Sequence, residues 1–196
     1  IDSSPAMLGQ CAAHASGTLR FAAGDLAQLS GGWTDEGPFD LVFSNAALQW
    51  VDDHPALLRR LAAQVAPDGQ LAIQMPANHD HPSHTLAAEL AATAPFAAWL
   101  GGFVRQSPVL PAEAYALLLD ELGFVRQHVR TQVYLHRLPT TASVVDWCRG
   151  TLLTAYKARL TAEQYAAFES AYAARVVDAL GAHEPYRYPF KRLLLW

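Results

Sequence analysis

The chain has 196 residues, 52% hydrophobic and 16% charged, with a formal net charge of −4. That is enough chain for one domain with a full core. There is no Lys/Arg run, so the electrostatic footprint of a nucleic-acid binder is missing, and no apolar run reaches membrane-spanning length. Its two cysteines, Cys11 and Cys148, lie far apart, and the start is not a signal peptide. Both features point to a reducing, cytoplasmic setting rather than a disulfide framework.

In chain order, Ile1-Asp2 reads as the end of a strand. Ser4 is a good N-cap with Pro5 at the first helical position. Met7, Leu8, Cys11 and Ala15 then share one helical face, and Gly17 is read as the stop. Leu19 to Ala23 alternates as a strand, with Gly24-Asp25 at its carboxyl end. Residues 31–38 are read as loop. Asp40 to Asn45 is a short apolar run ending in polar residues. His54 to Val65 predicts a helix, with Leu57, Leu58, Leu61 and Val65 on one face. Pro67-Asp68-Gly69 is expected to stop it and turn the chain. Leu71, Ile73 and Met75 form a second buried run. Strand, helix and strand make a right-handed βαβ unit, and ligands sit outside the carboxyl ends of such strands. The site is therefore expected between Asn45, the segment 46–50 and the loop after Met75.

Residues 76–84 read as a polar loop, and Ser83 to Ala94 as a helix. Phe96 to Val109, with Gly101-Gly102, is read as a mobile or capping segment. Pro111 to Leu122 predicts a helix with Tyr115, Leu118, Leu119 and Leu122 on one stripe and Gly123 as its stop. A strand is expected from Phe124, with Val129, Thr131, Val133 and Leu135 alternating against polar residues. Pro139-Thr140-Thr141 opens a helix carrying Val144, Trp147 and Cys148 inward. Thr161 and Gln164 form a capping box, followed by a stripe of Tyr165, Phe168, Tyr172, Val176 and Leu180, ended by Gly181. Tyr186 to Phe190 leads to a last strand, Lys191 to Trp196. The fold class is α/β, layered.

The segments IDSSPAM, FSNAALQWVDDH, IQMPANHDHPSH and VVDWC, with a strand after YPF, carry a resemblance. The chain resembles class I S-adenosylmethionine (SAM) dependent methyltransferases, in particular the trans-aconitate 2-methyltransferases. The resemblance implies a Rossmann-like sheet over residues 1–138 and 183–196, with 139–182 as a helical insertion before the last strand. It implies that the first strand and a glycine-rich loop precede Ile1, since the chain has no G-x-G-x-G. The chain as written is then an N-terminally truncated form. It is expected to hold SAM incompletely, in a sheet that either misses its middle strand or has a neighbour filling the gap.

The resemblance gives Asp2 the ribose of SAM, with Ser3 and Met7 beside the adenine. The residues themselves leave open a helix-dipole role for Asp2 and core packing for Met7. Asp25 would accept the adenine amino group and Leu26 would pack on the ring; an Asx turn is the alternative for Asp25. Asn45 and Ala46 would lie at the methionine end of SAM. Gln49 and Trp50 would face the substrate, Trp50 offering a π face near a cation, with ordinary core as its alternative. His79, His81 and His84 form H-x-H-x2-H. Nothing nearby demands a metal, so they are read as polar-loop histidines able to meet an anionic substrate, as is Arg187. No catalytic dyad is evident.

The implied reaction is methyl-ester formation on a small polycarboxylate such as trans-aconitate. Two other readings remain: a methyltransferase acting on a malonyl carrier protein, and a methyltransferase-like binding domain without catalysis.

Overall fold

A computed structural model of the protein describes residues 1–28 and 36–196. Helix α1 (Pro5–Cys11) starts where Ser4 Oγ accepts the Met7 N–H at 3.4 Å, with Pro5 in its first turn. A 3-10 turn (Ala12–His14) follows and ends before Gly17. The stop is therefore Ala15, which is extended, and the Ser16 hydroxyl after it accepts the N–H groups of Thr18 and Leu19 at 3.3 and 3.1 Å. The run 19–23, expected as a strand, makes one parallel bridge, Asp2 to Ala23. Its partner segment leaves the pairing direction at once, because Ser4 already caps α1. Of the loop read over 31–38, residues 31–35 lie outside the described residues.

Strand β1 (Phe39–Asn45) is followed by α2 (His54–Ala62) and β2 (Val65–Pro76). β1 and β2 pair in parallel, with Leu41 opposite Gln70 and Asn45 opposite Gln74. The expected βαβ unit is present, but its helix is shorter than the periodicity implied. Phe39 N–H donates to Gln64 O at 2.7 Å and Phe39 pairs with Val65, so the sheet takes both residues from the helix. Pro67-Asp68-Gly69 then falls inside β2, where the register slips between Phe39 and Leu41. A Cβ on Gly69 would stand 2.8 Å from Phe39 O, so this crossing needs glycine. Leu57, Leu58, Leu61, Leu71, Ile73 and Met75 are all buried, as their spacing implied.

The polar loop after β2 is shorter than expected. His81 caps α3 (Pro82–Ala91), its Nδ1 accepting the Ser83 N–H, so His84 is helical. The segment read as mobile or capping holds α4 (Phe96–Trp99), and Phe96 packs edge-on against Phe168 at 5.3 Å. α5 (Ala112–Glu121) buries Tyr115, Leu118 and Leu119. β3 (Val129–Leu138) begins later than Phe124, and β4 (Tyr186–Leu195) begins earlier than Lys191. His128 and Trp196 exchange N–H···O bonds in both directions, as opposed residues of an antiparallel pair do. The sheet order is β1-β2-β4-β3. The expected inward face of β3 is reversed along its second half. The His136 ring lies 4.8 Å from Trp147, while Val133 and Leu135 are 53% and 60% exposed. Between β3 and β4 run α6 (Ser143–Arg149), α7 (Thr154–Lys157) and α8 (Ala162–Leu180).

The chain divides into two compact units. The first comprises Ile1–Met75, Pro108–Gln132 and Leu193–Trp196; the second comprises Pro76–Ser107 and Val133–Arg192. The second has its own core, in which Leu90, Phe96, Val144, Cys148, Phe168 and Tyr172 meet.

Candidate functional site

In the first unit, two carboxylates stand at the ends of neighbouring parallel segments. Asp2 N–H donates to Ala22 O at 3.3 Å, and Gly24 N–H donates to Asp2 O at 3.2 Å. This sets Asp2 and Asp25 on adjacent carboxyl ends, where Rossmann-like sheets bind their ligands. Each carboxylate is oriented by a short turn. Asp2 Oδ1 accepts the Ser4 N–H at 2.7 Å, and Asp25 Oδ1 accepts the Ala27 N–H at 2.9 Å. Both side chains are exposed, and each turn uses one oxygen of the carboxylate. Ser3 is exposed and Leu26 half-buried. Met7 is 49% exposed and α1 buries no residue, so Met7 is not a core methionine.

At the end of β1, Asn45 and Ala46 are exposed. Ala46 N–H donates to Gln74 O at 2.8 Å, and its φ of 53° turns the chain sharply away from the sheet. Gln49 Nε2 donates back to Ala46 O at 2.7 Å. Gln49 Oε1 is left buried with no hydrogen-bond partner among the described residues. A buried acceptor without a donor is costly, and a ligand donor would relieve that cost. Trp50 is 50% exposed and ends the 3-10 turn Leu48–Trp50, so it is not a core aromatic.

The turn is pinned from below by His54, which sequence reasoning passed over. Its Nε2 bonds Leu48 O at 2.9 Å and its Nδ1 bonds the Tyr115 hydroxyl. Since a carbonyl only accepts, Nε2 carries the proton and Nδ1 accepts from Tyr115. Burial holds the His54 pKa below its ordinary value. The signal was available: His54 sits three and four residues before Leu57 and Leu58, on the apolar stripe of α2.

The second unit holds a cluster of polar groups that sequence reasoning saw only in part. Asn78 and Ser83 are fully buried. Ser83 Oγ lies 2.9 Å from His81 Nδ1, 3.0 Å from His84 Nδ1 and 3.2 Å from the Tyr188 hydroxyl. Asn78 Nδ2 donates to Tyr188 at 3.1 Å, and Tyr172 donates to Ser83 O at 2.7 Å. Asp80 pairs with Lys191, whose ammonium holds the carboxyl below its usual range. Burial depresses His84 most, to about 4, and keeps the Tyr188 hydroxyl protonated by raising it to about 12. His79 is exposed. Arg187 is exposed too, and alternates outward between Tyr186 and Tyr188, so it is not brought to the His81–Ser83 cluster. Among the described residues no three His, Cys, Asp or Glu are arranged to hold a metal ion.

The chain is similar to known proteins in sequence and in fold. A family model described as "Methyltransferase domain" matches residues 1–129. Over 99% of its length the chain is 44% identical to a trans-aconitate 2-methyltransferase of Deinococcus radiodurans, and it spans 74% of that protein. It is 40% identical over 98% of its length to the enzyme of that name from Variovorax paradoxus, spanning 71% of it. Among solved structures, the YcgJ protein of Bacillus subtilis aligns over 98% of this chain and 78% of its own, with a TM-score of 0.55 at 14% identity. That likeness is one of fold.

Proposed function

The chain belongs to the methyltransferase-domain family, and from that premise we propose that it is a SAM-dependent O-methyltransferase forming a methyl ester on trans-aconitate or a similar small polycarboxylate. The observation that carries this reading is the 44% identity, over 99% of the chain, to a trans-aconitate 2-methyltransferase. The fold is the Rossmann-like α/β fold of class I methyltransferases. In this reading residues 1–138 and 183–196 form it, and 139–182 are its helical insertion; α6 to α8 do lie between the neighbouring strands β3 and β4.

Bound SAM supplies an electrophilic methyl group on a sulfonium. A substrate carboxylate oxygen forms the new C–O bond as the S–C bond breaks, giving a methyl ester and S-adenosylhomocysteine. The carboxylate is already ionised near neutral pH, so no general base is needed and the protein's work is positioning. The residues present fit the cofactor. The outer oxygens of Asp2 and Asp25 suit ribose hydroxyls and the adenine amine, with Ser3, Met7 and Leu26 alongside. Gln49 Oε1 needs a donor, and the SAM ammonium is one. Asn45 and Ala46 would flank that end of the ligand, and the half-exposed Trp50 would offer its π face to the sulfonium. His79 and Arg187 are the cationic candidates for the acceptor from the sequence. Among the described residues no helix is long and apolar enough to cross a membrane. A cytoplasmic setting goes with this reading, because Cys11 and Cys148 are both unpaired.

The test is a screen of small acids with methyl-labelled SAM, using the full natural protein. Label should enter polycarboxylates as a base-labile ester. Label appearing only on amines, phenols or a carrier protein would reject the reading.

A further inference from the structure

In the second unit, α3 begins on an imidazole rather than on a hydroxyl or a carboxylate. Pro82 fills its first position and has no N–H to satisfy. His84 and Thr85 donate their N–H groups to His81 O at 2.8 and 3.2 Å. The Ser83 N–H donates to His81 Nδ1 at 3.1 Å, so the ring is the cap. A backbone N–H only donates. Nδ1 therefore holds a lone pair, and the proton of the neutral ring is on Nε2. Nε2 lies 3.5 Å from the Tyr186 hydroxyl, whose oxygen can accept that proton. The Ser83 hydroxyl, which meets several neighbours, does not enter this assignment. Ser83 has no exposed surface, and its O accepts the Tyr172 O–H at 2.7 Å. Its hydroxyl lies 3.2 Å from that of Tyr188. The capped turn is thus where α3 is tied to α8 and β4.

We infer that His81 is a pH-sensitive cap: the neutral ring closes the first turn of α3, and the imidazolium releases it. A proton added at Nδ1 sets two donors face to face and leaves the buried Ser83 N–H without an acceptor. It also puts a positive charge at the positive end of the helix dipole. The other groups around the ring do not offset this. Asp80 attracts an imidazolium, but it is paired with Lys191, whose ammonium repels one. The Tyr188 ring stands edge-on at 5.0 Å, and burial keeps both it and Tyr186 protonated and neutral. His84, with its pKa near 4, is neutral at mildly acid pH, and His79 is exposed. Burial is the largest cause holding His81 itself below its ordinary 6.5. The released turn takes up the proton more readily than the closed one, so release grows as pH falls through 6.5. The device lies in the second unit alone and does not depend on which acceptor is methylated.

The test is amide hydrogen exchange on the full natural protein, read at Ser83 by NMR and corrected for intrinsic exchange. Between pH 7.5 and 5.5, protection of the wild-type amide should fall at least about threefold, each proton taken up adding at most about tenfold per pH unit. His81→Asn caps without titrating. It should match the wild type at pH 7.5 and show a fall at least about threefold smaller. His81→Ala should lower protection about fivefold already at pH 7.5. His84→Gln should keep a fall of about threefold or more, which separates the two histidines. At pH 7.5 the ¹⁵N signals of wild-type His81 should show the Nε2–H tautomer, a readout that needs no variant. An Nδ1–H tautomer overturns the inference. So does wild-type protection that does not change with pH, an equal fall in His81→Asn, or loss of the fall in His84→Gln.

Discussion

Two exposed side chains at the end of β1 separate function from folding. Asn45 is exposed and Trp50 half-exposed, so neither contributes the buried area that makes core truncations costly. Asn45→Ala and Trp50→Ala should each lower kcat/KM about tenfold or more, at a stability change under about 1 kcal/mol. Denaturant melts alongside initial rates would check this; a loss of several kcal/mol would mark Trp50 as core. His84 gives a pH dependence whose sign can be worked out. Its pKa is about 4 in the native state against 6.5 for the unfolded chain. Between those values the unfolded state binds more protons, so native stability falls as pH drops through that window and is fully present above it. The slope is about 1.4 kcal/mol per pH unit, and His54, also depressed, adds with the same sign. Urea midpoints between pH 7.5 and 4.5 should fall less steeply in His84→Gln than in the wild type.

Among the elements, α8 shows what a sequence can reveal. Its capping box closes within four residues: Thr161 N–H donates to Gln164 Oε1 at 3.0 Å, and Gln164 N–H donates to Thr161 Oγ1 at 3.2 Å. Thr161→Ala should cost about 1 kcal/mol, read as a lowered urea midpoint. The stripe Tyr165, Phe168, Tyr172 and Val176 was equally legible, because 3.6-residue periodicity is local. β2 was not. Its first residues are claimed by Phe39, a partner on another strand, against a local pattern that favoured helix. The same limit hid the polar clusters. His54 finds Tyr115 at a separation of 61 residues, and Ser83 finds Tyr188 at 105. The Asp2 and Asp25 positions were readable because a strand end followed by a turn has a short signature. The inward face of β3 was misread because a histidine, His136, took the place expected of Val133 and Leu135.

Taken as a whole molecule, burial is uneven along the chain. β2 buries Leu71, Ile73 and Met75 in the first unit, and α8 buries four residues in the second. Residues 1–28 contribute no buried residue at all. Native-state hydrogen exchange should therefore find the slowest amides in both β2 and α8. Residues 1–28 should exchange through local opening at far lower free energy. Protection over 1–28 equal to that of α8 would contradict this picture. A ligand held by Asp2 and Asp25 should slow exchange in that segment first, since ordering there has the most to gain.

Evolutionary freedom at the end of β1 is set by a dihedral angle rather than by a contact. Ala46 has φ of 53° and Asp53 has φ of 54°, so the segment between Asn45 and α2 begins and ends in left-handed backbone. That conformation costs an L-residue roughly 1–2 kcal/mol and a β-branched one more. A saturation library at position 46 should therefore be ordered by backbone preference. Glycine and asparagine should rank at or above the native alanine in folded yield, and valine and isoleucine should fall to the bottom, although the valine side chain has one heavy atom fewer than that of asparagine. If size alone ordered the library, the turn would not be held by Ala46. Drift at this site would then run through glycine, a single-nucleotide step from alanine, and the loop proposed to meet the cofactor could change its neighbours without changing its path.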